Sequence, residues 1–437
     1  MKAAVAPNFS GPVLGRANVV YELAERTGAV AHGGMGMVTK LVKALGLDGI
    51  GVAALPDPTT AGDFCRRFEE AWVMALQEAV NRARLRAWAA QPASFCSQTA
   101  VIDADATIVP TGAEAKEGID IAYNGTWGYS ALMVNLANTK EPLYFKLSGA
   151  NRPSHEGVVP LYDRAVVLCR QAGFTDVLLR GDTDFSITTE LDRWDADGVR
   201  FVFGYNAWAS MVERAGALPD ELYHGLVARA ERSIKTAPRT KPANVKDAIV
   251  RSRRYKVLRQ RAEDVVSFPY RPAKCKKDYR VVALRKDLSV ERGEDVLFSE
   301  HRYFFYITND WAMTDDQVVG QARQRCDQEN LIAQLKGQVR ALHAPVNTLV
   351  ANWAYMAMAA LAWSIKAWCA LLLPVSPRWA AKHDEQRRQL LRMDFRTFLA
   401  GFVEIPCQVI KGARQVRWRV LAWNPLLGAF FRLLDAL

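Results

Sequence analysis

Two aspartates lie two positions apart in an otherwise apolar stretch, TAVIDADATIVP, whose β-branched residues predict a buried strand. Alternate side chains of a strand point to opposite faces, so Asp103 and Asp105 share one face with Thr107. An ionised carboxylate is costly to bury unless it is paired or binds a metal. We therefore expect a cation beside them, with a turn cap near Pro110 as the plain alternative for one of the two.

A second acid, Asp182, ends the apolar segment DVLLRGD, which predicts another strand. A third acid, Glu329, lies in a segment of strong helical periodicity with acidic residues at its start. On that helix Arg325 and Lys336 share the face of Glu329, at spacings of four and seven residues. Alone, this pattern is typical of an ordinary ion pair on a helix surface. Together with Asp105 and Asp182 at strand ends, it predicts a three-acid site flanked by two cations.

The motif DADAT also permits a different interpretation, because it resembles the D-x-D-x-T nucleophile motif of haloacid dehalogenase-type phosphatases. In that case Asp103 attacks phosphorus, Asp105 acts as general acid and base, and GDTDF supplies magnesium-binding acids. The later motif of that superfamily needs a second acid where this chain has Ser186 and Ile187. A short motif match is weak evidence by itself. This phosphatase is the alternative function.

The elements around these acids predict an α/β fold with a mixed sheet and helical cover. Three apolar segments between residues 99 and 150, broken by Asn-Gly and Gly, predict adjacent antiparallel strands. Helices then alternate with strands as far as residue 205. Residues 206–299 interrupt this alternation, and the apolar segment HRYFFYITND resumes it after them. The pattern therefore predicts an inserted domain.

Positive charge is concentrated in one part of the chain, whose formal net charge is +11. Between residues 229 and 280 there are 17 Lys and Arg residues against five Asp and Glu. A basic region of this length favours a polyanionic partner, which is nucleic acid or a membrane surface. Near the C-terminus, Arg417 and Arg419 share one face of a predicted strand.

Composition excludes several classes of protein. The seven cysteines are scattered and form no C-x-x-C pair, which argues against a disulfide framework or zinc site and favours a reducing compartment. The N-terminal residues lack the continuous apolar core of a signal peptide. Residues 341–365 carry no Asp, Glu, Lys or Arg, but Pro and Asn interrupt them. We expect this segment to form a helix buried in protein, with no membrane span.

The segment ARQRCDQENLIAQLK resembles the Y-(2)-R-(3)-E-(6)-K signature of one group of bacterial insertion-sequence transposases. Arg325, Glu329 and Lys336 match the signature, and its tyrosine position is Ala322. LLRGDTDF resembles the second-acid block of the same group, and DADAT resembles its first-acid strand, with Asp105 at the metal-binding position. The three blocks occur in the order found in that group, and the resemblance covers essentially the whole chain.

This resemblance implies a ribonuclease H-like catalytic core of the DDE type, split by an insertion before its last catalytic helix. The implied regions are a helical N-terminal domain for DNA-end binding (1–95), a first core part (96–205), a basic insertion domain (206–299), a second core part (300–375) and a basic C-terminal region (376–437).

The resemblance also implies metal-dependent cleavage of DNA ends and strand transfer, as in cut-and-paste transposition. Asp105, Asp182 and Glu329 would hold two Mg²⁺ or Mn²⁺ ions, with Asp103 as a possible helper ligand. The expected DNA contacts are Arg325, Lys336, Arg253, Arg254, Lys256, Arg417 and Arg419. The expected partners are the terminal inverted repeats, target DNA and a second copy of the chain in a synaptic complex. The expected location is the bacterial cytoplasm, in association with the nucleoid.

Overall fold

The computed structural model describes residues 27–47, 58–226, 245–293, 295–411 and 416–437. Within these ranges the strands, numbered in chain order, are β1 Thr27–Val30, β2 Ala100–Pro110, β3 Asp120–Ile121, β4 Trp127–Leu136, β5 Glu141–Gly149, β6 Val177–Gly181, β7 Arg200–Tyr205, β8 His224–Gly225, β9 Lys256–Tyr270, β10 Tyr279–Arg292, β11 Asp295–Thr308, β12 Cys407–Lys411 and β13 Val416–Val420.

The helices of the same ranges are α1 Met35–Ala44, α2 Pro58–Cys65, α3 Glu70–Ala89, α4 Val158–Gln171, α5 Leu191–Ala196, α6 Ala209–Gly216, α7 Val245–Ser252, α8 Asp315–Gln324, α9 Cys326–Lys336, α10 Leu349–Leu371, α11 Ala380–Arg392, α12 Phe395–Phe398 and α13 Leu427–Ala436. Shorter helical turns follow several of these elements. The turn that matters for the site is Thr183–Phe185, directly after β6.

The chain divides into two compact units, which do not follow the predicted domain boundaries. One unit is Ala54–Ser364, and the other combines Met1–Ala53 with Ile365–Leu437. Helix α3, predicted to belong to an N-terminal domain, lies in the first unit because Gln77 exchanges two hydrogen bonds with the backbone of Phe145 in β5. Parts of the predicted N-terminal and insertion domains (1–26, 48–57 and 227–244) lie outside the described residues. The functions assigned to these regions stay predictions.

A large mixed sheet forms the centre of the Ala54–Ser364 unit, in the order β3-β4-β2-β6-β7-β11-β10-β9-β8, with β5 also paired to β4. Strands β2, β4 and β5 are antiparallel neighbours, whereas β6 runs parallel to both β2 and β7. This confirms the predicted α/β fold, in which three antiparallel strands precede strands that alternate with helices. Strand β6 ends beside the middle of β2, which continues to Pro110 while paired with β4.

Helices cover both faces of this sheet. On one face, Val318 and Val319 of α8 pack against Leu178 of β6 and Val202 of β7. Phe203, which points the opposite way along β7, packs against Tyr162 of α4 and Trp194 of α5. All five residues of β6 are buried, as expected for a central parallel strand. The strand ends are thus fixed by packing on both sides.

The predicted insertion does not form a sheet of its own within the described residues, because β8–β11 extend the central sheet. Strand β11 is continuous across the predicted boundary at residue 299. Its last four residues pair antiparallel with β7, from Phe305 opposite Tyr205 to Thr308 opposite Val202. A single 14-residue strand therefore links the inserted segment to the core.

Helix α10, predicted to be buried in protein, is long and apolar enough to cross a membrane by length and composition. However, 67% of its most apolar stretch is buried against the rest of the protein. The indole N–H groups of Trp353 and Trp363 each donate a 2.7 Å hydrogen bond to a backbone carbonyl, of Phe145 and Lys140 respectively. Such polar contacts to neighbouring elements are typical of a core helix.

In the second unit the described strands form a three-stranded sheet in the order β1-β12-β13. Strand β1 pairs antiparallel with β12, from Thr27 opposite Ile410 to Val30 opposite Cys407. In the same unit, the aromatic ring of Phe402 packs against the rings of Phe398 and Phe430. Described residues from near both ends of the chain thus belong to one unit.

Candidate active site

The two aspartates of β2 are both paired, but with different arginines. Asp103 is 1% exposed and lies directly opposite Arg180 of β6. The Arg180 guanidinium donates to both carboxylate oxygens, from Nε to Oδ1 at 2.7 Å and from Nη2 to Oδ2 at 2.8 Å. The Nη1 atom of Arg180 donates to Gln321 of α8. Both oxygens of Asp103 thus bond to Arg180, and the side chain is buried, so its observed partner is an arginine; its predicted role as a helper ligand stays a prediction.

Asp105 lies two residues further along β2, where the strand is less buried. Its Oδ2 atom accepts a hydrogen bond from Nη1 of Arg325 at 3.3 Å, and its Oδ1 atom accepts one from the Ala106 amide at 2.8 Å. Burial raises the pKa of Asp105 to about 6; Arg325 opposes this shift, whereas the charges of Asp182 and Glu329 add to it. The carboxyl groups of Asp182 and Glu329 are therefore near enough to repel that of Asp105.

Asp182 is brought beside Asp105 by the register of two parallel strands. Asp103 lies opposite Arg180 on the neighbouring parallel strand. The residues two positions further along each strand, Asp105 and Asp182, therefore lie side by side where β6 ends. The Asp182 carboxylate caps the turn Thr183–Phe185 by accepting a 3.0 Å hydrogen bond from the Asp184 amide. Burial raises the pKa of Asp182 as well, against the influence of Arg325. The carboxyl ends of strands in α/β sheets are the usual location of ligand sites.

The turn after Asp182 packs tightly against Gly204 of β7. A Cβ atom added at Gly204 would lie 2.8 Å from the Thr183 amide nitrogen and 3.0 Å from the Asp182 carbonyl carbon. Both atoms belong to the backbone, so no side-chain rotation relieves the clash.

We therefore expect Gly204→Ala to displace the turn that holds Asp182. The free energy of unfolding should fall by about 1–3 kcal/mol, as for other overpacked positions. Gly225→Ala is the control, because a Cβ atom there meets nothing within 4 Å. Urea unfolding of both variants checks this expectation, which equal stability of the two would contradict.

The one continuous helix that the sequence predicts is divided into two, with Glu329 and Lys336 on the second and Arg325 at the break. Helix α8 ends at Gln324 and α9 begins at Cys326, with Arg325 between them. The backbone N–H of Gln328 donates a 2.8 Å hydrogen bond to the Arg325 carbonyl. This bond spans three residues, so the turn is tighter than that of an α-helix. Glu329 is exposed in the first turn of α9, and Lys336 ends that helix. The break places the guanidinium of Arg325 against Asp105.

The three carboxyl groups fit a hard divalent cation by their chemistry, since Mg²⁺ and Mn²⁺ prefer oxygen ligands. The three carboxyl groups are not, however, gathered as closely as the ligands of an enclosed metal site. Within the part of the chain that the structure describes, no group of three or more His, Cys, Asp or Glu side chains is placed to hold a metal ion. Instead, Arg325 is the cation nearest to Asp105 in the described structure.

The chain matches the family model described as transposase DDE domain group 1 over residues 57–399. It belongs to this family. Among solved structures, the chain matches a cryo-EM structure of a piggyBac transposase synaptic complex with hairpin DNA, at 11% identity and a TM-score of 0.30. That similarity covers 68% of this chain and 53% of the other, so the chain spans about half of that protein. No curated protein is significantly similar in sequence.

The family match contains all three predicted acids and the predicted cations Arg325 and Lys336. It gives no support to a haloacid dehalogenase-type phosphatase. The fold does not favour that alternative either, because β2 is followed by the antiparallel strand β4 instead of a helix and a parallel strand. The identity of the catalytic residues within this transposase-family domain stays a prediction.

Two clefts open near these residues of the DDE domain. The larger cleft, of about 860 Å³, is lined by residues that include Thr107, Tyr123, Arg152, Asp184 and Lys336. The smaller cleft, of about 430 Å³, is lined by Asp182, Arg323 and Arg325 together with aromatic residues of β7 and β11. Asp182 thus faces the smaller cleft, whereas Ala106, next to Asp105, lines the larger one.

The other predicted DNA contacts are exposed, and none of them is among the residues that line the two clefts. Arg253, Arg254 and Lys256 lie around the start of β9, where Arg254 pairs with Asp295 at 2.7 Å. Arg417 and Arg419 are exposed on β13 of the second unit. Within the first unit, the structure places Asp105 beside Asp182 and Arg325, with Glu329 one helical turn after Arg325.

Sequence reasoning missed Arg180. The available signal is an arginine inside the apolar run DVLLRGD, because an Arg at a buried strand position needs an anion. That anion is Asp103, for which the sequence had predicted a role in metal binding.

Proposed function

We propose that this chain is a DDE transposase, a polynucleotidyl transferase that cuts DNA ends and joins them to target DNA. The observation that carries the proposal is the placement, within the matched family domain, of Asp105 beside Asp182 on two parallel strands, with Arg325 at 3.3 Å from Asp105 and Glu329 in the helical turn that follows. Ordinary folded proteins avoid grouping like charges unless a cation or a reaction requires them. The strand order around β2 fits a ribonuclease H-like core.

A divalent metal, Mg²⁺ or Mn²⁺ as one ion or two, would supply activation of water and neutralisation of charge on the attacking and leaving oxygens. Asp105, Asp182 and Glu329 would hold it. Arg325 then has a second task, because its planar guanidinium matches a phosphate as well as a carboxylate. When DNA is bound, Arg325 would exchange its contact with Asp105 for a contact with the backbone phosphate, which frees an Asp105 oxygen.

The basic residues outside the clefts would supply affinity for the DNA backbone. Arg253, Arg254, Lys256, Arg417 and Arg419 are exposed, as phosphate contacts must be. The proposed substrates are the terminal inverted repeats of an insertion sequence and its target DNA, in the bacterial cytoplasm. Because two ends must be joined, a homodimer is the proposed form of the synaptic complex.

Metal removal tests this function directly. Purified protein should cut a DNA duplex carrying the terminal repeats that flank its own gene when Mg²⁺ or Mn²⁺ is added, and EDTA should stop cleavage. Electrophoresis of end-labelled DNA measures both results. The same protein should not hydrolyse p-nitrophenyl phosphate, the substrate of the alternative phosphatase. Hydrolysis of that ester without any cutting of DNA would overturn the proposal.

A further inference from the structure

The larger cleft is lined in part by elements that carry none of the three proposed catalytic acids. Lys336 of α9 and Thr107 of β2 line the cleft. The turn between β3 and β4 and the loop after β5, with Asn151 and Arg152, also line it. The β3–β4 turn therefore faces the same opening as the cation at the end of α9.

This turn is a tight hairpin that presents one aromatic side chain to solvent. The Ala122 amide donates to the Thr126 carbonyl at 2.8 Å, and the Asn124 side chain accepts from the Thr126 amide at 3.1 Å. Gly125 has φ of +80°, the left-handed conformation that an Asn-Gly turn requires. The backbone around Tyr123 is thus held by its own hydrogen bonds.

Tyr123 has no structural partner that explains an aromatic residue there. Its side chain is 98% exposed. It makes no hydrogen bond, ion pair or ring contact with any residue that the structure describes. An aromatic ring on a rigid turn with both faces open is the arrangement with which proteins stack on unpaired nucleobases.

The charges of the larger cleft suit the backbone of the same nucleic acid strand. Lys336 is half-buried, and its ammonium pairs with no carboxylate of the described residues. Arg152 is 60% exposed, with Glu156 at 3.6 Å as its partner. The acid of the cleft, Asp184, accepts a hydrogen bond from the Ser154 hydroxyl at 2.5 Å. An unpaired, partly desolvated cation binds a phosphate more strongly than a fully hydrated one does.

We infer that the larger cleft binds one strand of DNA, with Tyr123 stacked on an unpaired base and Lys336 at a nearby phosphate. This inference rests on the proposed function and adds to it a surface, the β3–β4 turn, that binds one DNA strand. The β3–β4 turn acts in positioning: it holds a base of the strand and takes no part in bond breaking.

Photocrosslinking of the full chain tests the contact. The probe is a thymine-rich single-stranded oligonucleotide containing 5-iodouracil, which crosslinks to aromatic rings that stack on it. We expect a crosslinked peptide that contains Tyr123. The crosslink should persist in Tyr123→Phe, which keeps the ring, and disappear in Tyr123→Ala. In fluorescence anisotropy, Tyr123→Ala should bind the same oligonucleotide about tenfold more weakly.

Trp311→Ala is the matched control, since this exposed aromatic residue lines neither cleft and should leave affinity unchanged. Crosslinks that map only to other residues, or a Tyr123→Ala affinity within twofold of wild type, would overturn the inference. If wild-type protein still cuts its terminal repeats in that case, the proposed function survives alone. A wild-type chain that neither binds the oligonucleotide nor cuts DNA would overturn both.

Discussion

Replacing Asp105 with asparagine should abolish DNA cleavage while leaving the protein folded. The amide has nearly the same shape as the carboxylate and still accepts a hydrogen bond from Arg325. It lacks the negative charge that holds a divalent cation, however. Because the metal contributes several kcal/mol of transition-state stabilisation, cleavage should fall by about 10³-fold or more. Single-turnover cleavage of end-labelled terminal-repeat DNA measures this loss.

Two further variants give this prediction its control. Asp182→Asn should lose as much activity as Asp105→Asn, and the double variant should be no worse than either, because ligands of one site act as a unit. Asp197→Asn removes a carboxylate that is more than half exposed and pairs with Arg193 only at 3.9 Å, so cleavage should stay near that of wild type. Substantial cleavage by Asp105→Asn would remove this residue from the proposed site.

The second large effect concerns stability. Arg180→Leu should lower the free energy of unfolding by about 3–5 kcal/mol, because it leaves the buried Asp103 carboxylate without its partner. Asp103 and Arg180 are 1% and 3% exposed, so water cannot replace the lost contacts. Urea unfolding followed by circular dichroism measures the change. This loss of stability is expected although Arg180 contacts none of the three proposed catalytic acids directly.

A surface pair provides the comparison. Arg164→Leu breaks an ion pair with Glu78 in which the side chains are 49% and 35% exposed, and should cost less than about 1 kcal/mol. The double variant Asp103→Leu with Arg180→Leu should recover part of the stability lost in Arg180→Leu, since no buried charge remains. An Arg180→Leu protein as stable as wild type would show that Asp103 is not held by this arginine.

The mixed sheet and the position of Asp182 directly after a strand could be predicted from sequence because both depend on local patterns, whereas Asp105, predicted at a strand end, lies in the middle of β2. Alternating apolar residues marked the strands, and a polar residue that ends an apolar strand marks its carboxyl end. What the pattern could not assign was the partner of each aspartate. Asp103 and Asp105 share one strand face, and only the position of β6 beside β2 decides that the first meets Arg180.

The helix break at Arg325 and the extent of the insertion were also beyond local patterns. Every residue from Asp315 to Lys336 is compatible with one helix, so periodicity alone predicted an unbroken one. At the break, Arg325 pairs with Asp105 of a distant strand, a contact that helical periodicity does not report. Similarly, the boundary near residue 299 was placed at a change of composition, whereas β11 runs across it and pairs with β7 through its last four residues. Long-range contacts override local preference in both cases.

The pairing of β1 with β12 has a consequence for synthesis on the ribosome. The residues of Ala54–Ser364 are contiguous, so that unit can complete its sheet while translation continues. Strand β1 leaves the ribosome early, yet its hydrogen-bonding partner is made only when Cys407–Lys411 has been translated. A premature stop before Cys407 therefore produces a chain with an unpaired strand edge near its start, the kind of surface on which aggregation begins.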